Sequence, residues 1–187
     1  MKTLLALALM SAVAFAAPAK KYHFELTAVT PKPEVKPEMA KLAQPIVEAR
    51  IKKTWESHPQ LVQTLDGAPD PKTAADAYRK YLTKKGLSGA YLVTVEITEA
   101  TQELVPVEDK PNTQRLSVHL AIHVLGETIP GRTMGFTGDG QATIKQEIGK
   151  TLRDKDRDFT WDGAAETAIN DAMKTVFAQL AKPPHKP

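Results

Sequence analysis

The chain has 187 residues, no cysteine and a formal net charge of +3 at pH 7. The lack of cysteine excludes disulfide bonds, a lipid attached through an amino-terminal cysteine, and a thiol nucleophile. The small positive excess, spread among 25 basic and 22 acidic side chains, does not favour nucleic acid or an anionic membrane as the partner.

The amino terminus has the pattern of a secretory signal peptide. Lys2 is followed by a short apolar run, and Ala14 and Ala16 form an A-x-A cleavage site. The apolar run is short for a bilayer span. We therefore predict a signal peptide at 1–16 and a single mature domain at 17–187, periplasmic or secreted from a bacterium, without a membrane anchor.

The mature chain opens with a predicted strand and an extended link. Residues 22–29 alternate between apolar and polar side chains, as a strand with one buried face does. Prolines then recur in alternate positions, which disfavours a helix or an interior strand. We therefore predict a proline-rich connector at 30–37.

Two helices are predicted next. The first spans 38–56, and Pro45 either kinks it or forms its true first turn. Its apolar residues form one face and a neighbouring stripe: Met39, Leu42, Ile46 and Ala49, then Val47, Ile51 and Trp55. The second helix spans 72–85, with Asp70 as its amino-terminal cap and Gly86 as its end.

The centre of the chain predicts an antiparallel pair of strands. Residues 90–99 and 115–125 both alternate, so each strand has one apolar and one polar face. The connection contains Pro106 and Pro111 and is too short for a crossover helix. A hairpin with a long, ragged loop is therefore expected.

The last third predicts glycine-rich turns followed by a long helix. Five glycines in 126–141 indicate turns, and 141–145 indicates a short strand that leads into a short helix. Apolar residues at helical spacing then predict an amphipathic helix that starts at residue 162 or 163 and ends at 182. Residues 183–187 are expected to form a frayed tail.

This order of elements predicts an α/β (α+β) fold, a single domain with a mixed or antiparallel sheet covered by about three helices. The order, the segment Lys85-Gly-Leu-Ser-Gly-Ala-Tyr-Leu-Val-Thr-Val-Glu-Ile97 and the alanine-rich last helix resemble certain bacterial envelope domains. These are the domains of the curli-export lipoprotein, the lipoprotein activators of penicillin-binding proteins, and the amino-terminal domain of the Tol translocation protein. The resemblance spans roughly the whole mature chain, but the lipid-attachment cysteine of the lipoproteins is missing. It implies a non-catalytic assembly, adaptor or activator role.

Four acidic residues have the spacing of ligands 1, 3, 5 and 9 in a calcium loop: Asp154, Asp156, Asp158 and Asp162. The pattern departs from such a loop at Phe159, where the sharp turn needs glycine, and at Ala165, where the bidentate acid belongs. The alternative is a solvated charged turn whose last acid caps the final helix.

Two histidines lie on the polar side of the second central strand. His119 and His123 are about 13 Å apart at ~3.3 Å per residue, too far for both to bind one metal ion. Either one could complete a weak metal site with an opposite-strand neighbour such as Glu96, or act in acid–base catalysis. The chain contains neither a Gly-x-Ser-x-Gly nor a His-Glu-x-x-His motif.

The sequence therefore favours a non-catalytic periplasmic binding, adaptor or assembly domain without a cofactor. Its partner would be an envelope protein or a small ligand, docked in a groove or at a sheet edge. The two alternatives are a calcium-binding envelope protein that uses the acidic segment and a hydrolase that uses His119 or His123. The oligomeric state is not indicated.

Overall fold

The structure, a computed structural model, describes residues 19–182. The predicted signal peptide at 1–16 and the tail at 183–187 lie outside the described residues. The helices and strands of the described residues are β1 (Lys21–Pro31), α1 (Pro37–Ser57), α2 (Ala75–Lys84), β2 (Leu87–Pro106), β3 (Thr113–Thr128), β4 (Met134–Gly149) and α3 (Asp154–Ala181).

The four strands form one mixed sheet in the order β1-β2-β3-β4. Strand β1 is parallel to β2, because α1 and α2 lie between them in the chain and form the crossover. Strands β2, β3 and β4 are antiparallel. Helices α1 and α3 cover one face of the sheet, and α2 packs against β2. The predicted fold class, a single α/β domain with a mixed sheet and three helices, is confirmed.

The central hairpin is confirmed, but its loop is shorter than expected. Strand β2 continues to Pro106, which pairs with Gln114 at the start of β3. Only residues 107–112 remain for the loop. Pro106 is compatible with this pairing because it is the last residue of its strand, where the missing N–H is not needed.

The prediction for the glycine-rich segment is wrong. Residues 134–149 form one continuous strand, β4, rather than turns, a short strand and a short helix. Two of its glycines lie beneath α3. A β-carbon at Gly138 would lie 2.7 Å from the carbonyl oxygen of Ala172, and one at Gly140 would collide with the carbonyl oxygen of Ala168. These glycines therefore allow the helix to approach the strand.

Helix α3 begins at Asp154, about two turns earlier than predicted. Four of its fully buried residues are alanines: Ala164, Ala165, Ala168 and Ala172. Small side chains on the helix and glycines on the strand together produce a short interlayer distance.

Helix α1 runs without a break from Pro37 to Ser57, with Pro45 inside it. Its buried face consists of Ala40, Ala43, Val47, Ile51 and Trp55. The other predicted face, with Leu42 and Ile46, is only half-buried. Strand β1 extends through Pro31, so residues 32–36 alone link it to α1.

Helix α2 begins at Ala75, later than predicted, and ends at Lys84, two residues before Gly86, whose φ is +70°. The Asp70 carboxylate accepts a hydrogen bond from the Lys72 N–H at 2.9 Å, so it caps the turn before the helix. A small apolar cluster holds α2 on the sheet: Tyr78, Leu82, Leu87, Ala90 and Ile129. Within residues 19–182, no helix is both long and apolar enough to cross a membrane.

The close contact between α3 and β4 gives a stability prediction. Gly140→Ala should lower the free energy of unfolding by at least about 2 kcal/mol, because the new methyl group meets helix backbone that cannot rotate away. Gly149→Ala is the matched control, since nothing lies within 4 Å of its β-carbon position. Urea unfolding of both variants measures the difference. Equal stability of the two variants would contradict the close packing.

Candidate functional site

The face of the sheet opposite α1 and α3 is largely polar. Along β3, alternate residues from Leu116 to Val124 are buried against the helices, and the residues between them are half-exposed on the other side. Helix α2 covers this side only near Ala90 and Ile129. We call the remainder the polar face, and it is formed by Glu96, Glu99, Thr101, His119, Ala121, His123, Asp139, Gln141 and Thr143.

Strand register arranges these side chains in three rows. Each row has one residue from β2, one from β3 and one from β4: Glu96, His123 and Asp139; Glu99, Ala121 and Gln141; Thr101, His119 and Thr143. An irregularity between Ile97 and Glu99 shifts the register of β2. Because of this bulge, Glu96 and Glu99 both lie on the polar face although they are three residues apart.

The His123 row places an imidazole between two carboxylates. Its Nδ1 lies 2.6 Å from an Asp139 oxygen, and Glu96 lies opposite on β2. Lys32 approaches Glu96 at 4.0 Å. The imidazole ring is thus held in one orientation by β4.

The His119 row has the form of an acid, an imidazole and a hydroxyl group. Nε2 of His119 lies 3.2 Å from a Glu99 oxygen, and Nδ1 lies 2.9 Å from the Thr143 hydroxyl. Such a row could transfer a proton to or from the hydroxyl. Acyl transfer also needs hydrogen-bond donors aimed at the developing oxyanion. The backbone N–H groups of β3 are used in pairing with its two neighbouring strands, and Thr143 is exposed on the surface of its strand rather than enclosed in a cleft. The row therefore has the proton-transfer groups of a hydrolase without a matching oxyanion site on β3.

A depression of about 480 Å³ lies between the two histidines. Its lining residues are Thr98, Glu99, Ala121, Ile122, Asp139, Gly140, Gln141 and Asp171. The small side chain of Ala121 leaves this space, because both of its neighbours on the same face of β3 are histidines. The charged groups in the lining are the carboxylates of Glu99 and Asp139 on the polar face and of Asp171 on α3, so the depression favours a cation.

A second cleft, of about 580 Å³, lies at the α2 end of the sheet. Its lining residues are Glu25, Asp70, Pro71, Lys72, Leu92, Ile129, Pro130 and Arg132. The charges in this cleft are mixed, and Asp70 already caps a turn. Arg132 pairs with Glu127 at 2.7 Å. The cleft thus has less electrostatic preference than the depression at Ala121.

The structure does not bring the four predicted calcium ligands together. Residues 154–162 form the first turns of α3 rather than a loop. A helix turns by about 100° per residue, so Asp156 points away from Asp154 and Asp158. Arg157 contacts both of those exposed acids, and Arg50 pairs with Asp162. Among residues 19–182, no group of three or more His, Cys, Asp or Glu is placed to hold a metal ion.

Asp156 instead forms an ion pair with Arg153 at the start of α3. Its carboxylate is buried and accepts hydrogen bonds from the Arg153 guanidinium at 2.7 and 3.0 Å. The hydrogen bond from Arg153 lowers the pKa of Asp156 below its ordinary value. Residues 154–162 are thus helical, neither a loop nor a turn capped by Asp162. A run of alternating acids and bases is equally compatible with a helical start, where acids favour the amino-terminal dipole.

Comparisons with known proteins give similarities of fold. No protein-family model and no curated protein matches the chain. The structure is similar to a homolog of the neuraminyllactose-binding hemagglutinin from Helicobacter pylori, at 9% identity and a TM-score of 0.46, over 88% of this chain and 87% of that chain. It is similar to a minor lipoprotein from Acinetobacter baumannii, at 12% identity and a TM-score of 0.39, over 88% and 98% of the two chains. It is also similar to rare lipoprotein B from Shewanella oneidensis, at 10% identity and a TM-score of 0.38, over 84% of this chain and 96% of that chain.

Two of these three structures are of bacterial lipoproteins, and the likeness is one of fold at low sequence identity. Kinship with the curli-export lipoprotein, the penicillin-binding-protein activators and the Tol domain stays a prediction.

The bond between Arg153 and Asp156 predicts a pH-dependent contribution to stability. Because the pKa of Asp156 is lower in the folded chain, the carboxylate stabilises the fold above its unfolded pKa, and this contribution disappears as the pH falls through the folded pKa. Asp156→Asn should therefore be less stable than the wild type at about pH 7, and the gap should narrow as the pH falls below about 4, the pKa of an aspartate in an unfolded chain. Urea unfolding across this range measures the gap. Asp154→Asn, at an exposed first-turn acid, is the control, and a gap of constant size would contradict the assignment.

Proposed function

We propose that this chain is an exported, non-catalytic binding or adaptor domain of the bacterial cell envelope. In this proposal the polar face receives a lysine or arginine side chain of a partner protein. The observation that carries the proposal is the depression at Ala121, bordered by Glu99 and Asp139 of the polar face and by Asp171 of α3, without Lys or Arg in its lining. A side-chain cation placed there exchanges water for several carboxylate oxygens.

The rigidity of the site supports binding. Strand β3 is hydrogen-bonded along both edges, so Ala121 lies on a fixed part of the sheet. The side chains of His119 and His123 are held by contacts to β4 and β2. A partner therefore meets preformed walls and orders few side chains when it docks.

The cellular location in this proposal depends on the predicted signal peptide at 1–16. A cysteine-free domain suits a bacterial periplasm better than a eukaryotic extracellular space, where small domains depend more on disulfides. The polar face would then be available to other envelope proteins, with no cofactor required.

Filling the depression should weaken binding. Ala121→Arg places a cation where the partner's cation would lie, and we expect at least a tenfold loss of affinity for a short arginine-containing peptide. Ser117→Arg is the matched control, because it adds the same charge to the same face of β3, four residues away. Isothermal titration of the wild type and both variants, at low and physiological salt, measures the affinities. Equal losses in both variants would indicate only a change in net charge, and no binding by the wild type would contradict the proposal.

A hydrolase is the second candidate, favoured only by the contacts from Glu99 through His119 to Thr143. If the chain only binds a partner, any cleavage of a chromogenic ester that it shows should not depend on the Thr143 hydroxyl group. Thr143→Ala should therefore leave the rate unchanged, and Thr101→Ala, on the same row, is the control. A loss of at least tenfold in Thr143→Ala alone would instead support covalent catalysis.

A further inference from the structure

An apolar groove lies between α1 and α3 on the side of the helices that faces away from the sheet. One wall consists of Leu42, Pro45, Ile46 and Ala49 of α1, and the other carries Asp158 and Asp162 of α3. The groove encloses about 480 Å³, enough for a large side chain. It is separate from the polar face, which is on the opposite side of the sheet.

A large aromatic side chain projects beside this groove. Phe159 follows Asp158 and lies one turn before Asp162, and it is 70% exposed. It is more exposed than the other large hydrophobic residues that the structure shows on the surface, Leu104, Val105 and Met134. Because the ring is exposed, it does not fill the groove of its own chain. An exposed ring next to an apolar groove indicates an interface.

We propose that the chain forms a twofold-symmetric dimer in which Phe159 of each copy enters the groove of the other. The two helices run in the same direction. The ring of His58, the residue after α1, stacks on Phe177 near the end of α3 with ring centroids 4.2 Å apart, so both helices end at the same level. A twofold axis along the groove therefore places α1 of each copy opposite α3 of the other, at the same level.

The charges at the rim match this arrangement. Lys41 lies on the α1 wall of the groove, and Asp158 lies on the α3 wall. The same axis brings Lys41 of one copy opposite Asp158 of the second copy, twice in the dimer. One symmetric surface then forms two opposite-charge contacts and buries two phenyl rings. For this reason we infer that a second copy of the chain occupies the groove.

The oligomeric state of residues 17–187 tests the dimer. Sedimentation equilibrium across a wide concentration range should show a monomer–dimer equilibrium, and Phe159→Asp should weaken association at least tenfold. Met134→Asp is the matched control, because Met134 is 60% exposed on β4, away from the groove. A wild type that stays monomeric throughout would overturn the proposal, as would equal weakening by the two substitutions.

A cross-linking experiment tests the geometry. The chain has no cysteine, so Leu42→Cys and Phe159→Cys variants each carry a single thiol. After mixing and mild oxidation, we expect the mixed disulfide between the two variants to exceed either homodisulfide. Phe159→Cys mixed with Met134→Cys is the control. A mixture dominated by homodisulfides, or equal yields with the control, would overturn the pairing of Phe159 with the groove.

The dimer is independent of the proposed function. Lys41→Glu and Asp158→Lys should each weaken association, and the double variant should recover it, because the charge pair is restored across the axis. Ala121→Arg, on the opposite face, should leave association unchanged. A double variant weaker than both single variants would overturn the predicted charge pairing.

Discussion

The contact between α3 and β4 determines how the two layers of this domain fit together. Gly138 and Gly140 leave room for the backbone of the helix at Ala172 and Ala168, so the helix lies directly on the strand. At this distance dispersion contacts are made by backbone atoms as well as side chains. The rest of the helix then follows: Trp161 reaches across the sheet and donates a hydrogen bond to Gln102 on β2 at 2.9 Å.

Placing both long helices on one side leaves the other side of the sheet available for binding. The first helix is joined to the last through Arg50, which contacts Asp162 and Glu166, so the two helices form one layer. Only the short helix α2 packs on the opposite side, at one end. The asymmetry explains why strands with fully buried residues on one face carry histidines and carboxylates on the other.

The same layout separates the two surfaces for which we propose roles. The polar face is rigid and anionic at its depression, which suits a cationic side chain. The groove between the helices is apolar and has Phe159 beside it, which suits a second copy of the chain. Because the sheet lies between these surfaces, a dimer would present two polar faces directed away from each other. Such an arrangement is compatible with an adaptor that binds two partners at once.

Parts of the site could be predicted from sequence, and parts could not. The positions of His119 and His123 on the polar side of a strand followed from the two-residue period of β-structure. Their partners did not, since Thr143 and Asp139 are on a strand whose glycines indicated turns. Glu99 was also missed, because a bulge reverses the side on which it is expected to lie. Glycine is ambiguous in a single sequence: the same residue serves turns and close approaches of backbone.

The sequence by itself determined the elements that depend on local periodicity: the alternating strands of the central hairpin, the two long helices and the α/β class. These patterns are short-range properties of the chain, so they are readable without knowledge of what packs where. Only the tertiary structure decided the conformation of residues 126–161, the buried face of α1 and the loss of the calcium-like loop to the first turns of α3. Each of these depends on packing between residues far apart in the chain.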